Sequence, residues 1–214
     1  MSILTSLIKP ATAKVDEMGH EVVGAAVSRR RLMKRAGALA GAVAVLGGSQ
    51  LAVAAGSAPA LEFEVACDGG SFWLNRRDPG ATISPGDTFI VSGRIYPSGT
   101  IAQGLSGPHQ AGSIGTWIHR GWFYYGFEEI FAGAAPHIIS TQSFLFDTFD
   151  GLTTDGTEGG QFVVRPITGG YGMYRDARGV SKESEVGENE TVVDLGNEIL
   201  IPAPNLRFTF ELDQ

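Results

Sequence analysis

The sequence has one cysteine, Cys67, among its 214 residues. An intramolecular disulfide is therefore excluded, and the folded part must be held together by its core. The sequence also lacks a strongly apolar run of about 20 residues, the length that a membrane-spanning helix requires. Its most apolar segment, residues 36–47, consists of Ala, Gly, Val and Leu and runs into Gly-Gly-Ser-Gln at residues 47–50. This composition is not typical of a transmembrane anchor.

Aromatic residues are missing from the first 60 positions, since all 20 of them lie further along the chain. The first 60 residues therefore contribute little to a core. Beyond residue 60 basic residues are scarce, with nine Lys and Arg against 20 Asp and Glu. Phosphate binding needs clustered Lys and Arg, so nucleic acid is not expected as a partner. The Gly-x-Ser-x-Gly, phosphate-loop and dinucleotide motifs are absent too, which disfavours hydrolases and nucleotide-dependent enzymes.

Residues 1–54 are predicted to be a targeting segment. Residues 28–34 have the sequence SRRRLMK, an uncharged stretch follows, and Ala-Val-Ala at 52–54 is a small-x-small cleavage site, with cleavage as late as residue 60 as an alternative. The paired arginines resemble the twin-arginine export signal. We therefore expect a bacterial protein exported to the periplasm or beyond by the twin-arginine machinery, with no stable membrane anchor after cleavage. Residues 61–214 are predicted to form a single domain.

That domain shows apolar residues at every second position, with turn residues between the segments. The pattern is clearest at residues 206–212, LRFTFEL. Seven to nine strands are predicted, at residues 61–67, 88–96, 114–125, 138–147, 161–167, 191–195 and 206–212, with weaker candidates at 71–75 and 180–185. The one helical candidate lies within residues 122–135, and the acidic, glycine-rich residues 147–158 are interpreted as a loop. Many short strands in one domain favour a barrel or a sandwich.

Residues 167–179, ITGGYGMYRDARG, resemble the signature of the allene oxide cyclase and dirigent barrels. In those families a strand ends in a Gly-Gly-x-Gly turn, which an aromatic residue and an Ala-Arg-Gly-like tripeptide follow. The resemblance implies an all-β fold, an eight-stranded antiparallel barrel of lipocalin-like shape, commonly a homo-oligomer (trimer or dimer). The predicted structural turn consists of Gly169, Gly170, Gly172, Arg178 and Gly179, because glycine permits positive φ and close backbone approach.

The same resemblance implies an activity without metal or organic cofactor. In cyclases of this type a glutamate on the first strand points into the lumen and stabilises developing positive charge. The match here is Phe63-Glu64-Val65, so Glu64 is the candidate catalytic residue. The position that is Asn in the plant cyclases is Ala66, so the plant reaction itself is not expected. If the face that carries Glu64 is the outer one, this residue is instead a surface charge.

A barrel of this kind is expected to bind a hydrophobic small molecule in its lumen. The candidate ligand-binding residues are Tyr96, Trp117, His119, Tyr125, Phe144 and Phe146. Aromatic residues on strands are also ordinary core residues, and this alternative stays open. The three histidines of the domain have no ligand-like spacing, so no metal site is expected. Arg165, in mid-strand, is interpreted as a structural residue that needs a partner.

Two functions are therefore expected ahead of others. The first is a cofactor-independent cyclase, isomerase or stereo-guiding protein that works by confining its substrate. The second is a lipocalin-like carrier without catalysis. A third possibility is a structural or interaction protein whose barrel is filled by its own side chains. A polar group inside the lumen would favour the catalyst over the carrier.

Overall fold

The computed structural model describes residues 60–101, 107–109, 111–159 and 163–213. The predicted targeting segment, residues 1–54, lies outside these residues. No helix within the described ranges is both long enough and apolar enough to span a membrane.

Eight strands form one closed antiparallel barrel, in which each strand pairs with the next and the last closes onto the first. The strands are β1 (Ala60–Asn75), β2 (Thr88–Pro97), β3 (Gly115–Phe123), β4 (Ile138–Phe146), β5 (Gly151–Glu158), β6 (Val163–Tyr171), β7 (Gly179–Asp194) and β8 (Leu200–Leu212). A one-turn helix, α1 (Phe127–Phe131), lies between β3 and β4. The predicted eight-stranded antiparallel barrel is therefore confirmed.

Alternation along the strands decides which side chains face the interior. Phe63 on β1 lies opposite Phe208 on β8, and directly opposed residues of an antiparallel pair share a face. The rings of these two residues and of Phe144 and Phe210 make contacts with centroids 4.9–5.9 Å apart. These four phenylalanines, which we call the aromatic cluster, fill the half of the barrel in which β1 begins.

The acidic segment interpreted as a loop is in fact β5. Each of its eight residues pairs with a residue of β4, from Leu145 opposite Gly151 to Ile138 opposite Glu158. Its Asp and Gly residues disfavour a strand while its threonines favour one, and propensity for strands depends strongly on the neighbours that a segment packs against. The ladder with β4 and the burial of Leu152 outweigh it.

Several predicted segments also have different limits in the structure. The candidates at 61–67 and 71–75 belong to one long strand, β1, whose pairing with β2 shifts between Asp68 and Trp73. The candidates at 180–185 and 191–195 likewise join into β7, which carries two irregularities in its pairing with β8. Bulges of this kind break the alternation of side chains, so one strand looks like two in the sequence.

The segment after β2 covers part of the outer face of β1. The Ile101 amide donates a hydrogen bond of 2.7 Å to Glu64 Oε2, and the Tyr96 hydroxyl donates to the Pro108 carbonyl at 3.2 Å. Tyr96, Ile101 and Ala66 form a small buried cluster there, separate from the barrel core. Side chains on this outer face are therefore buried without being in the lumen.

Candidate functional site

Beyond the aromatic cluster, toward the end of β3, the interior holds polar side chains among apolar ones such as Phe123 and Ile138. Seven buried inward-facing side chains form what we call the polar cluster: His119, Ser140, Gln142, Thr154, Glu158, Arg165 and Glu183. They come from five strands, β3 to β7, and none of the strands contributes more than two of them. A polar interior of this size is unusual, because buried charges are rare unless they are paired.

Strand register brings the members together. His119 lies opposite Gln142, and Gln142 lies opposite Thr154, so these three side chains form a row across β3, β4 and β5. Two residues before Gln142 on β4, Ser140 lies opposite Gly156. The Arg165 stem packs over Gly156, with Cγ 3.4 Å from the position that a Cβ would take. Arg165 thereby reaches past β5 to β4.

Arg165 is the cation of the cluster. It makes an ion pair with Glu158, and its Nη2 donates a hydrogen bond of 2.6 Å to Ser140 Oγ. Its Nη1 donates to the Ser140 carbonyl at 3.2 Å, and the Ser140 hydroxyl donates to Glu158. Burial lowers the pKa of Arg165, although Glu183 opposes that change. Guanidinium remains charged at neutral pH, so Arg165 and Glu158 are a buried charged pair.

His119 approaches this pair from β3. Its Nε2 lies 2.7 Å from Glu158 Oε1, and its ring contacts Trp117 and Phe89 with centroids 5.3 and 4.9 Å away. Burial, and secondarily the charge of Arg165, hold the pKa of His119 well below its usual 6.5. The imidazole is therefore neutral at physiological pH, which is the state that accepts a proton or donates one ring N–H.

A second polar contact crosses the interior. The Gln142 amide donates a hydrogen bond of 2.9 Å to Glu183 Oε2 on β7. Burial raises the pKa of Glu183, while Arg165 and this hydrogen bond oppose the rise. Glu183 therefore holds its proton at a higher pH than an exposed glutamate does.

Several interior polar atoms have no hydrogen-bond partner among the described residues. They are Trp117 Nε1, Gln142 Oε1, Thr154 Oγ1, Arg165 Nε and His119 Nδ1, whereas His119 Nε2 lies beside Glu158. An unpaired buried polar atom costs on the order of 1–3 kcal/mol, and most buried polar groups in proteins are paired. These atoms are therefore the candidate hydrogen-bonding partners of a molecule in the interior.

The structure separates the residues that the sequence singled out. Trp117, His119, Phe144 and Phe146 face the interior, whereas Tyr125 follows β3 and packs against the edge of the core. Tyr96 and Glu64 lie opposite each other on the outer face. Glu64 is nonetheless fully buried, and its Oε1 accepts a hydrogen bond of 2.6 Å from Arg207 Nη2.

The glycine-rich stretch lies where β6 ends. Gly169 and Gly170 belong to β6, and Gly172, with φ of 62°, starts a 3-10 turn over Gly172–Tyr174. Gly179 opens β7 with φ of 125°. Arg178 is exposed and donates to the carbonyl of its neighbour Ala177. This stretch shapes one end of the barrel and contributes no side chain to the polar cluster.

Most of the polar cluster is not evident from the sequence. Thr154 and Glu158 lie in the segment interpreted as a loop, where no alternation of inward and outward side chains is expected. Ser140 and Gln142 occupy alternate positions with Ile138 and Phe144 in a predicted strand. Polar residues in register with large apolar ones were the available signal. Arg165 was recognised as needing a partner, but Glu158 could not be identified without the fold.

The described residues line two surface depressions, among others. One, of about 350 Å³, is lined by residues 172–177 and 212–213, and the other, of about 420 Å³, by residues 80–85, 126–129 and Asn197. Neither includes a residue of the polar cluster. Ile83, Ile130 and Leu195 are buried in the barrel core near the second depression.

Comparison with known proteins gives structural matches only. No family model matches the sequence, and no curated protein does. Among solved structures the chain is similar to a pyocyanin demethylase, with a TM-score of 0.47 and 15% identity over 72% of this chain and 100% of the other. It is also similar to two pterocarpan synthase dirigent proteins. The first has a TM-score of 0.47 and 15% identity, and the match covers 78% of this chain and 96% of the other. The second has a TM-score of 0.48 and 12% identity, and the match covers 73% of this chain and 96% of the other. These likenesses concern the barrel fold, and they carry no argument about function.

Proposed function

We propose that this chain is an exported, cofactor-independent barrel that binds a small, largely hydrophobic molecule in its interior and acts on it as a cyclase or isomerase. The observation that supports this proposal is the polar cluster, which contains a neutral, fully buried histidine beside a carboxylate. A barrel that served only to be filled would be more stable with apolar residues at these positions, since buried ion pairs rarely repay their desolvation.

Proton transfer is the chemistry that His119 is suited to. A neutral imidazole takes a proton from one atom of a bound molecule and returns a proton to another, so an isomerisation of this kind needs no oxidant or reductant. Glu158, at 2.7 Å from Nε2, stabilises the imidazolium that forms in between. General acid–base catalysis of this type contributes about 10²- to 10⁴-fold to a rate.

Native mass spectrometry of the protein purified from cells that export it tests the proposal. We expect a copurifying small molecule, and we expect the wild type to convert it into a product of equal mass that separates by chromatography. His119→Gln should bind the molecule but convert it at least about 100-fold more slowly. Thr157→Val, an exposed change on β5, is the matched control. A chain that never carries a small molecule and has no ligand response would overturn the proposal.

A filled structural barrel is the second candidate, and the aromatic cluster supports it. Phe63, Phe144, Phe208 and Phe210 are all at most 1% exposed and occupy the space in which a carrier holds its ligand.

If the molecule binds but turnover is the same in His119→Gln, the carrier function is favoured instead.

Export and self-association belong to the same proposal. Replacing Arg29 and Arg30 by lysines should retain the chain in the cytoplasm if the twin-arginine machinery exports it.

Three large apolar side chains on the outer faces of β1 to β3 are 41–58% exposed: Trp73, Ile90 and Trp122. Exposed apolar patches mark association surfaces, which supports a homo-oligomer. Ile90→Lys should then shift the native mass to that of the monomer.

A further inference from the structure

The charges inside the barrel are few and already matched. Among the described residues the ionisable side chains on the inner face are the thiol of Cys67 and the groups of His119, Glu158, Arg165, Glu183 and Glu185. Arg165 is the one permanent cation in that part of the chain, and it is paired with Glu158. The basic side chains of neighbouring strands face outward, where Lys182 pairs with Glu211 and Arg207 with Glu64.

The remaining ionisable groups do not supply positive charge. Burial keeps His119 neutral, and burial also raises the pKa of the Cys67 thiol, so that it stays protonated. Glu183 and Glu185 are either neutral or negative. An anionic molecule entering this interior would thus find no cation that lacks a counter-charge. Burying an uncompensated charge is far more costly than burying a neutral polar group.

The unpaired polar atoms of the interior include both hydrogen-bond donors and hydrogen-bond acceptors. Trp117 Nε1 and Arg165 Nε are donors only, whereas Gln142 Oε1 is an acceptor only. Thr154 Oγ1 serves as either. A bound molecule that only accepts, such as an ether or ester, would leave Gln142 Oε1 unpaired, and a molecule that only donates would leave Trp117 and Arg165 unpaired.

We propose that the interior selects a neutral small molecule bearing a group that both donates and accepts a hydrogen bond, such as an alcohol, phenol or enol, and excludes carboxylates and other anions. This inference rests on the proposed function, because it specifies the class of molecule that the same site takes. Trp117 and Thr154 are the specificity-determining residues, and the neighbouring phenylalanines contact the apolar part.

Three probes of similar size and different charge test the selection: benzyl alcohol, benzoate and benzylammonium, each titrated at pH 7.5 into the ¹⁵N-labelled full chain. The readout is the indole N–H signal of Trp117, assigned by its loss in Trp117→Phe. Trp73 and Trp122 are more than 40% exposed on the outside, so their signals report contacts at the surface. We expect benzyl alcohol to shift the Trp117 signal in a saturable manner, and each of the charged probes to bind at least tenfold more weakly.

The outcomes separate the two levels of the proposal. Benzoate or benzylammonium binding as tightly as benzyl alcohol, with a shift at Trp117, would overturn the selection for neutral molecules and leave the small-molecule site intact. If no probe moves Trp117 and native mass spectrometry finds no adduct, the proposed function is overturned along with the inference. Thr154→Val should weaken benzyl alcohol about tenfold, whereas Thr157→Val, three residues along on the outer face, should not change it.

Discussion

Gln142 Nε2 and Glu183 Oε2 are joined by a 2.9 Å hydrogen bond that links β4 to β7, although β5 and β6 lie between these strands in the barrel wall. The bond therefore crosses the lumen instead of following the wall. It lies between the aromatic cluster and the Arg165–Glu158 pair, because Gln142 is two residues from Phe144 in one direction and from Ser140 in the other. In this low-dielectric setting a paired polar group stabilises the fold, and an unpaired one is costly.

Gln142→Leu should lower the free energy of unfolding by about 1–3 kcal/mol, because it removes the amide group that donates a hydrogen bond to Glu183 inside the barrel. Urea unfolding of the full chain measures the change. Thr157→Val on the outer face should stay within about 0.5 kcal/mol of the wild type. A more stable Gln142→Leu variant would show instead that apolar packing outweighs the cross-lumen bond.

Acid should destabilise the fold through His119. Its pKa in the folded chain is well below 6.5, so between that value and 6.5 the unfolded chain binds a proton that the folded chain does not. The contribution is fully present above pH 6.5 and is lost as the pH falls toward the folded pKa, by at most about 1.4 kcal/mol per pH unit.

The raised pKa of Glu183 acts in the opposite direction, because there the folded chain keeps the proton. The test is therefore the free energy of unfolding of the wild type minus that of His119→Phe, measured with urea from pH 7.5 to 5.5. As the pH falls below 6.5, the wild type should lose stability relative to the variant. His109→Gln, at an exposed position, is the control. A difference that stays constant across this range would contradict a buried neutral His119.

The barrel was predictable because several strands alternate over most of their length, as in the second half of β8, where Leu206, Phe208 and Phe210 face the core. The face of Glu64 was not predictable. Its neighbours Phe63 and Val65 point inward, so alternation places Glu64 outside. Its burial there depends on Ile101, which comes 37 residues later in the chain. Contacts that arise from a covering segment leave no periodic signal in the strand that they cover.

The polar cluster was hidden for a related reason. Glu158 and Thr154 lie in a segment whose Asp-Gly pairs favour turns, and its ladders with β4 and β6 make it a strand. Arg165 on β6 then pairs with Glu158 on β5 and also reaches Ser140 on β4, with its stem packed over Gly156. Such a relationship involves three strands at once, and the sequence of each strand alone does not contain it.

Glu64→Gln tests whether this carboxylate binds the covering segment or acts on a substrate. The change weakens the ion pair with Arg207 and the hydrogen bond from the Ile101 amide. We expect amide hydrogen exchange at Ile101 to become several-fold faster, because the covering segment opens more easily. Turnover of the copurified molecule and the Trp117 signal should stay unchanged. A loss of turnover comparable to that of His119→Gln would instead place Glu64 in the catalytic machinery.

Two adjacent glycines of β6 should differ sharply in their tolerance of a methyl group. A Cβ on Gly170 would lie 2.2 Å from the Tyr174 carbonyl oxygen, whereas a Cβ on Gly169 would have no atom within 4 Å. Gly170→Ala must therefore displace the backbone of the turn at Gly172–Tyr174, and we expect it to lower the free energy of unfolding by at least about 2 kcal/mol. Gly169→Ala should be neutral or stabilise by up to about 1 kcal/mol, because alanine restricts the unfolded chain. Urea unfolding of the two variants side by side decides the matter: equal effects would show that close backbone approach is not what requires glycine at position 170.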